Sequence, residues 1–106
     1  MSSLNNELKR AISTGKVLLG SRSVLREVGL GRAELVVISS NCPENLKAEI
    51  TKLASLSKIP VIQHPKNGVD LGILCGKPFI VSTMAIKDPG DSKIMSLVNL
   101  EDAQQD

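Results

Sequence analysis

The chain has no Trp, no Tyr and a single Phe, Phe79, among its 106 residues. So few rings exclude the nucleic-acid binders that lay several bases on aromatic platforms, RNA-recognition motifs and oligonucleotide barrels among them. Cysteine is also scarce: Cys42 and Cys75 fall in different expected elements, and His64 is the one histidine. With neither a Cys-x-x-Cys pair nor a two-His helix motif, no metal centre is expected. Both thiols are expected to be free, as in a reducing compartment. One His gives acid–base catalysis little material, and Cys42, flanked by Asn41 and Pro43, reads as a small buried thiol at a helix start before it reads as a nucleophile. Neither an enzyme nor a cofactor is expected. No apolar run approaches the roughly 18 residues that cross a bilayer, and the first residues read as an amphipathic helix and not a signal peptide. A cytoplasmic protein without membrane contact is the expectation.

What is present is an ordinary globular composition, 42% hydrophobic and 23% charged. Residues 1–106 should form a single domain, ordered from about residue 4 to 98 with a frayed tail. The net charge is only +2, but it is unevenly placed. Between Lys9 and Arg32 six basic residues stand against the single acid Glu27, whereas from Asp88 onward five acids face only Lys93. A polyanion would be sought at the basic end.

Apolar periodicity outlines the elements. Leu4, Leu8, Ala11 and Ile12 mark one helix face that Gly15 ends, and Lys16 to Leu19 is a short strand closed by Gly20. Ser21 reads as the N-cap of a helix carrying Val24, Leu25 and Val28 inward, stopped by Gly29 and Gly31. Leu35 to Ile38 is an unbroken apolar run, the mark of a strand covered on both faces. Pro43 suits a first helical position, and Leu46, Ile50, Leu53 and Ala54 trace the helix it opens. Val61 and Ile62 form a strand, Asn67 or Gly68 starts a helix bearing Leu71 and Leu74, and Phe79 to Ile86 reads as a strand. After the Asp88-Pro89-Gly90 turn, Ile94 to Val98 is expected to return as a last strand. This alternation predicts an α/β fold: a three-layer α/β/α sandwich around a mixed four- to five-stranded sheet.

Gly15 and Gly20 have the gap of a phosphate-binding loop, yet Ser21-Arg22 replaces its Lys-Ser/Thr, and Gly29-x-Gly31 lacks the third glycine of a dinucleotide fingerprint. The feature that remains is Gly20 opening a helix, with Arg22 and Arg26 one turn apart and Lys16 expected on the same side. On these residues alone a glycine turn with solvated arginines on an exposed face is the better reading.

Thr14-Gly15-Lys16, Gly20-Ser21-Arg22, Gly31-Arg32-Ala33-Glu34-Leu35-Val36-Val37-Ile38, Asn41-Cys42-Pro43, Leu71-Gly72, Gly76-Lys77 and Asp88-Pro89-Gly90-Asp91-Ser92 occur in that order. Together, across roughly Leu4 to Val98, they resemble the archaeal and eukaryotic large-subunit ribosomal protein family called thirty-e, within the kink-turn RNA-binding superfamily. The resemblance implies a sandwich that grips a sharply bent RNA internal loop, with sheared G·A pairs beside a bulge, along one edge. It implies contacts from Gly20, Ser21 and Arg22 at the second helix and from Asn41 before the third. From the loop Lys77 to Val81 it implies Phe79 packing on an exposed base, with Ile80 where other members carry Arg. Lys16 and Arg26 complete the expected RNA-binding set, and Arg22-Ser23 in place of an Asn-Glu pair favours the ribosomal branch.

The leading expectation is therefore a structural protein of the large ribosomal subunit, partnered by ribosomal RNA and neighbouring subunit proteins and taking no small-molecule substrate. A related kink-turn protein outside the ribosome, or an α/β protein binding a nucleotide or other anion at Gly20, is the alternative. A protein-interaction module using the acidic half is a third.

Overall fold

The computed structural model describes residues 2–95. The chain alternates helix and strand throughout: α1 (Ser2–Thr14), β1 (Lys16–Leu19), α2 (Ser21–Gly29), β2 (Leu35–Ile38), α3 (Glu44–Leu56), β3 (Val61–Gln63), α4 (Gly68–Leu74) and β4 (Thr83–Asp88). The sheet order is β1-β4-β2-β3. β2 and β3 are parallel, and β4 lies antiparallel between β1 and β2. This is the mixed α/β sheet that the pattern predicts, with four strands among the described residues.

Side chains alternate across the two central strands, and each face has its own cover. Leu35 and Val37 of β2, with Met84 and Ile86 of β4, pack against Leu8 and Ala11 of α1 and Leu71 of α4. Val36, Ile38 and Ala85 turn the other way, onto Val24 and Val28 of α2 and Ile50 and Ala54 of α3. All four residues of β2 are buried, which explains why its sequence is an unbroken apolar run and not an alternating one.

Four local expectations are corrected. Phe79 to Ser82 is not strand: β1 ends at Leu19 opposite Met84 and β2 at Ile38 opposite Thr83, so earlier residues have no strand on either side. Ile94 and Met95 are helical, not strand, with Ile94 buried against α1; the rest of that expected strand lies outside the described residues. The cap of α2 is Gly20, not Ser21, because the chain reverses sharply after β1 at φ 102° and the helix already includes Ser21. Pro43, with an extended ψ of 139°, likewise precedes α3 instead of beginning it.

Candidate nucleic-acid interface

Because β4 runs antiparallel to both β1 and β2, and β3 parallel to β2, the strands β1, β2 and β3 all end at the same edge of the sheet. The helix following each of them therefore begins there. The starts of α2 and α3, which have no side-chain cap, gather along this edge with the capped start of α4 and the loop that leads into β4.

Gly20 sits at the first of these crossings. Its N–H points to the Thr83 carbonyl at 3.5 Å, and its carbonyl accepts from Val24 N–H at 3.0 Å. A side chain added there would meet nothing within 4 Å, so the glycine is set by its positive φ and leaves open surface above it. Ser21 follows, half-buried, and then Arg22, exposed and without an acidic partner among the described residues. Arg26 lies one turn further along α2, about 6 Å away along the helix axis, and its Nε is 3.4 Å from Glu27 Oε2. Glu27 is buried, and its Oε1 stands 3.0 Å from Lys87 Nζ. The Lys87 contact holds the Glu27 carboxyl below the usual carboxylate range, against the opposing effect of burial. Lys16 is not brought to this edge. It begins β1 opposite Asp88, about 13 Å along the strand from Gly20.

Asn41 is exposed in the loop before α3, but it does not cap α3. Its Oδ1 accepts from the buried Ser39 hydroxyl at 3.1 Å and from Gly68 N–H, the first amide of α4, at 3.0 Å. One amide oxygen thus joins the end of β2 to the start of α4. Ser40 N–H reinforces the junction by donating to Lys66 O. Nearby, His64 is buried and its Nδ1 accepts from Lys66 N–H at 3.0 Å. Burial, with Lys66 adding to it and Asp70 opposing, lowers the His64 pKa below the ordinary imidazole value.

The segment from Lys77 to Val81 runs back along α4 in place of a strand ladder. Lys77 N–H donates to Gly72 O and Val81 N–H to Gly68 O, both at 2.9 Å. Two glycines on α4 make the close passage feasible. A Cβ on Gly72 would stand 2.1 Å from Phe79 O, and one on Gly68 would stand 2.6 Å from Ile80 Cγ2. Held this way, Phe79 and Ile80 remain 55% and 63% exposed, and with Val69, Ile73, Lys77 and Pro78 they line an open cleft of about 280 Å³. Val81 turns inward: its side chain is buried in the α1/α4 core and has only backbone to offer a ligand.

The edge thus unites Gly20, Ser21, Arg22, Asn41, Phe79 and Ile80, places Lys77 at the rim of the cleft and Arg26 behind Arg22, and leaves out Lys16. Sequence reasoning missed Ser39, Gly68 and Gly72, which position the others. The four-residue spacing of Gly68 and Gly72 on one helix face was a readable sign of close chain passage. The Cys42 thiol is buried, and burial pushes its pKa up, the opposite of what a nucleophile needs. Both cysteines are free. No group of three His, Cys, Asp or Glu among the described residues is arranged to hold a metal ion, and no helix among them is long and apolar enough to cross a membrane.

Comparison with known proteins gives this architecture relatives. Residues 2–96 match the family described as Ribosomal protein L7Ae/L30e/S12e/Gadd45. The large ribosomal subunit protein eL30 of Methanothermobacter thermautotrophicus is 45% identical over 95 residues, covering 90% of this chain and 97% of that one. The protein of the same name from Saccharolobus solfataricus is 42% identical over 96 residues, covering 91% and 89%. A solved structure of a protein of unknown function from Bacillus halodurans superposes with a TM-score of 0.79 at 25% identity, covering 93% of this chain and 99% of that one.

Proposed function

The chain belongs to the ribosomal L7Ae/L30e/S12e/Gadd45 family, and from that premise we propose that it is a non-enzymatic structural protein of the large ribosomal subunit that holds a sharply bent internal loop of ribosomal RNA. The observation that carries the RNA part is the meeting of Gly20, Arg22, Asn41 and Phe79 along one sheet edge, with the uncapped starts of α2 and α3 beside them. The L30-type relatives named above are large-subunit proteins, which favours ribosomal RNA as the polynucleotide and adjoining subunit proteins as neighbours. The site of action is then the ribosome, in the cytoplasm.

The mechanism is positional. At a bend, phosphates crowd together, and Arg22 with the α2 N-terminus neutralises them. Gly20 has no side chain to keep the RNA backbone at a distance. Asn41 and the Phe79–Ile80 surface meet bases that a regular duplex would keep stacked and paired. Shape is therefore recognised before sequence.

A synthetic RNA with a bent, bulged internal loop binds far more tightly than a fully matched duplex of equal length, and its affinity falls as salt rises. Equal affinity for the two RNAs defeats the proposal. Sedimentation of the cellular protein away from large subunits defeats its ribosomal part.

A further inference from the structure

The junction between β3 and α4 turns on the ring of His64. This residue directly follows β3, gives its backbone N–H to Ile38 O at 2.8 Å and is 1% exposed. A backbone N–H can only donate, so the Nδ1 that faces Lys66 N–H at 3.0 Å carries no hydrogen, and the ring is neutral. This bond fixes the chain at Lys66, and the hold spreads from there. Lys66 O accepts from Ser40 N–H at 3.0 Å, Asn67 Oδ1 caps α4 by accepting from Asp70 N–H at 3.0 Å, and Gly68 N–H reaches Asn41 Oδ1. An open cleft of about 240 Å³ between α1 and α4 borders the ring, lined by Lys9, Lys66, Asp70, Ile73 and Leu74.

We propose that His64 is a positioning residue with two settings: neutral, it clamps the start of α4 to the end of β2; protonated at Nδ1, it lets that junction go and loosens the RNA-binding edge. This rests on the RNA reading above and adds a control to it. An imidazolium bears a hydrogen on each nitrogen, so Nδ1 would meet Lys66 N–H donor against donor inside the fold. The proton is taken from solvent by way of the cleft. Among the described residues, the charged groups facing the ring are Lys66 from its own loop, Lys9 from α1 and Asp70 from α4, while Ser39 and Ser40 at the end of β2 bring no ionisable group. Burial and Lys66 accordingly hold the ring's pKa below the ordinary imidazole value, so the release belongs to solutions more acid than that. Its sign is distinctive. A positive charge added to a polyanion binder ordinarily tightens the complex, whereas this one weakens it.

His64 is the one histidine, so its ring resonances report the titration without ambiguity. In the free protein the amide proton signals of Lys66 and Gly68 move upfield together with the ring as their hydrogen bonds are lost. In His64→Gln, whose Oε1 can take over as the acceptor, they stay in place. Affinity of the wild type for the bent loop falls about threefold as the ring takes its proton, within the worth of one hydrogen bond. By reciprocity, saturating RNA lowers the His64 midpoint by about half a pH unit. His64→Gln binds like the wild type at neutral pH and shows no such loss, and protonation of the RNA itself cancels between the two proteins.

Two outcomes overturn the inference alone: the Lys66 and Gly68 signals hold still while the ring titrates, or affinity holds or rises as it does so. Both are read on the wild type and stand even where His64→Gln fails to fold. Free-protein signals that move as expected, in a protein with no preference for the bent loop at neutral pH, remove the RNA reading and the claim on affinity with it.

Discussion

The two ends of the sheet are built from similar materials and finished differently. At the end where β1 begins, the chain closes on itself. Thr14 Oγ1 accepts from Asp91 N–H at 2.9 Å, Glu7 Oε1 accepts from Lys93 N–H at 2.6 Å, and Asp88 Oδ1 accepts from Gly90 N–H at 2.9 Å. Gly15 and Gly90 pass so close that a Cβ on Gly15 would lie 1.9 Å from Asp88 O. At the other end glycines again allow close passage, but there the product is exposed surface: Gly20 open above, Phe79 and Ile80 held outward, Asn41 with spare donors. Where side chains satisfy backbone donors the protein is sealed. Where they position other groups without covering them, it is available to a ligand.

Glycine replacement should break this contrast most forcefully. Gly15→Ala forces a backbone clash and costs about 3 kcal/mol of stability, seen as an earlier urea midpoint, while the folded protein binds RNA as before. Gly72→Ala meets Phe79 O and costs a comparable amount, but it also displaces the Phe79 loop and weakens RNA binding. Loss of affinity in Gly15→Ala would show that the two ends are mechanically joined.

Phe79→Ala separates the ends from the other direction. The ring is more than half exposed, so stability changes little, while affinity for the bent loop falls by about 1–3 kcal/mol if the ring stacks on a base. A thermal midpoint that drops with no change in affinity would return Phe79 to a packing role.

Charge removal is subtler. Arg22→Ala reduces the slope of log affinity against log salt by about one unit, and Lys16→Ala, at the sealed end, leaves it unaltered. A Lys16 variant that matches the Arg22 variant would extend the RNA footprint along the whole of β1.

The smallest effect is that of pH. The buried His64 has a lowered pKa, so the unfolded chain takes up its proton first, and stability declines as pH falls from the ordinary imidazole value of 6.5 toward the lower folded value. The lowered pKa of Glu27 gives a second decline that begins only below 4.5, its ordinary value. Urea midpoints across this range resolve the two phases, and His64→Gln removes the first while keeping the second.

The helices and strands were legible because each buries one stripe or one run of apolar side chains, a property of neighbours in sequence. β2 was legible even as a covered strand. Phe79 to Ser82 was misread because an extended apolar stretch has the same pattern with or without partners, and its missing partners are the ends of β1 and β2. The grouping of Gly20 with Arg22 was local and visible. The exclusion of Lys16 required only the length of a strand, but the job of Asn41 required knowing that Gly68, far along the chain, stands beside it. Contacts of that kind leave no mark in periodicity.

β4 is the last strand among the described residues yet occupies the second place in the sheet, between β1 and β2. Until Thr83–Asp88 arrives β1 has no ladder partner, and β2 can pair only with β3. A chain emerging from its own synthesis can therefore form helices and the β2–β3 pair early, but it cannot complete its sheet until the residues after the Phe79 loop are out. Folding then waits on a late, sequence-distant insertion, the slow kind of contact. During that interval the apolar flanks of β1 and β2 are open to the wrong partner.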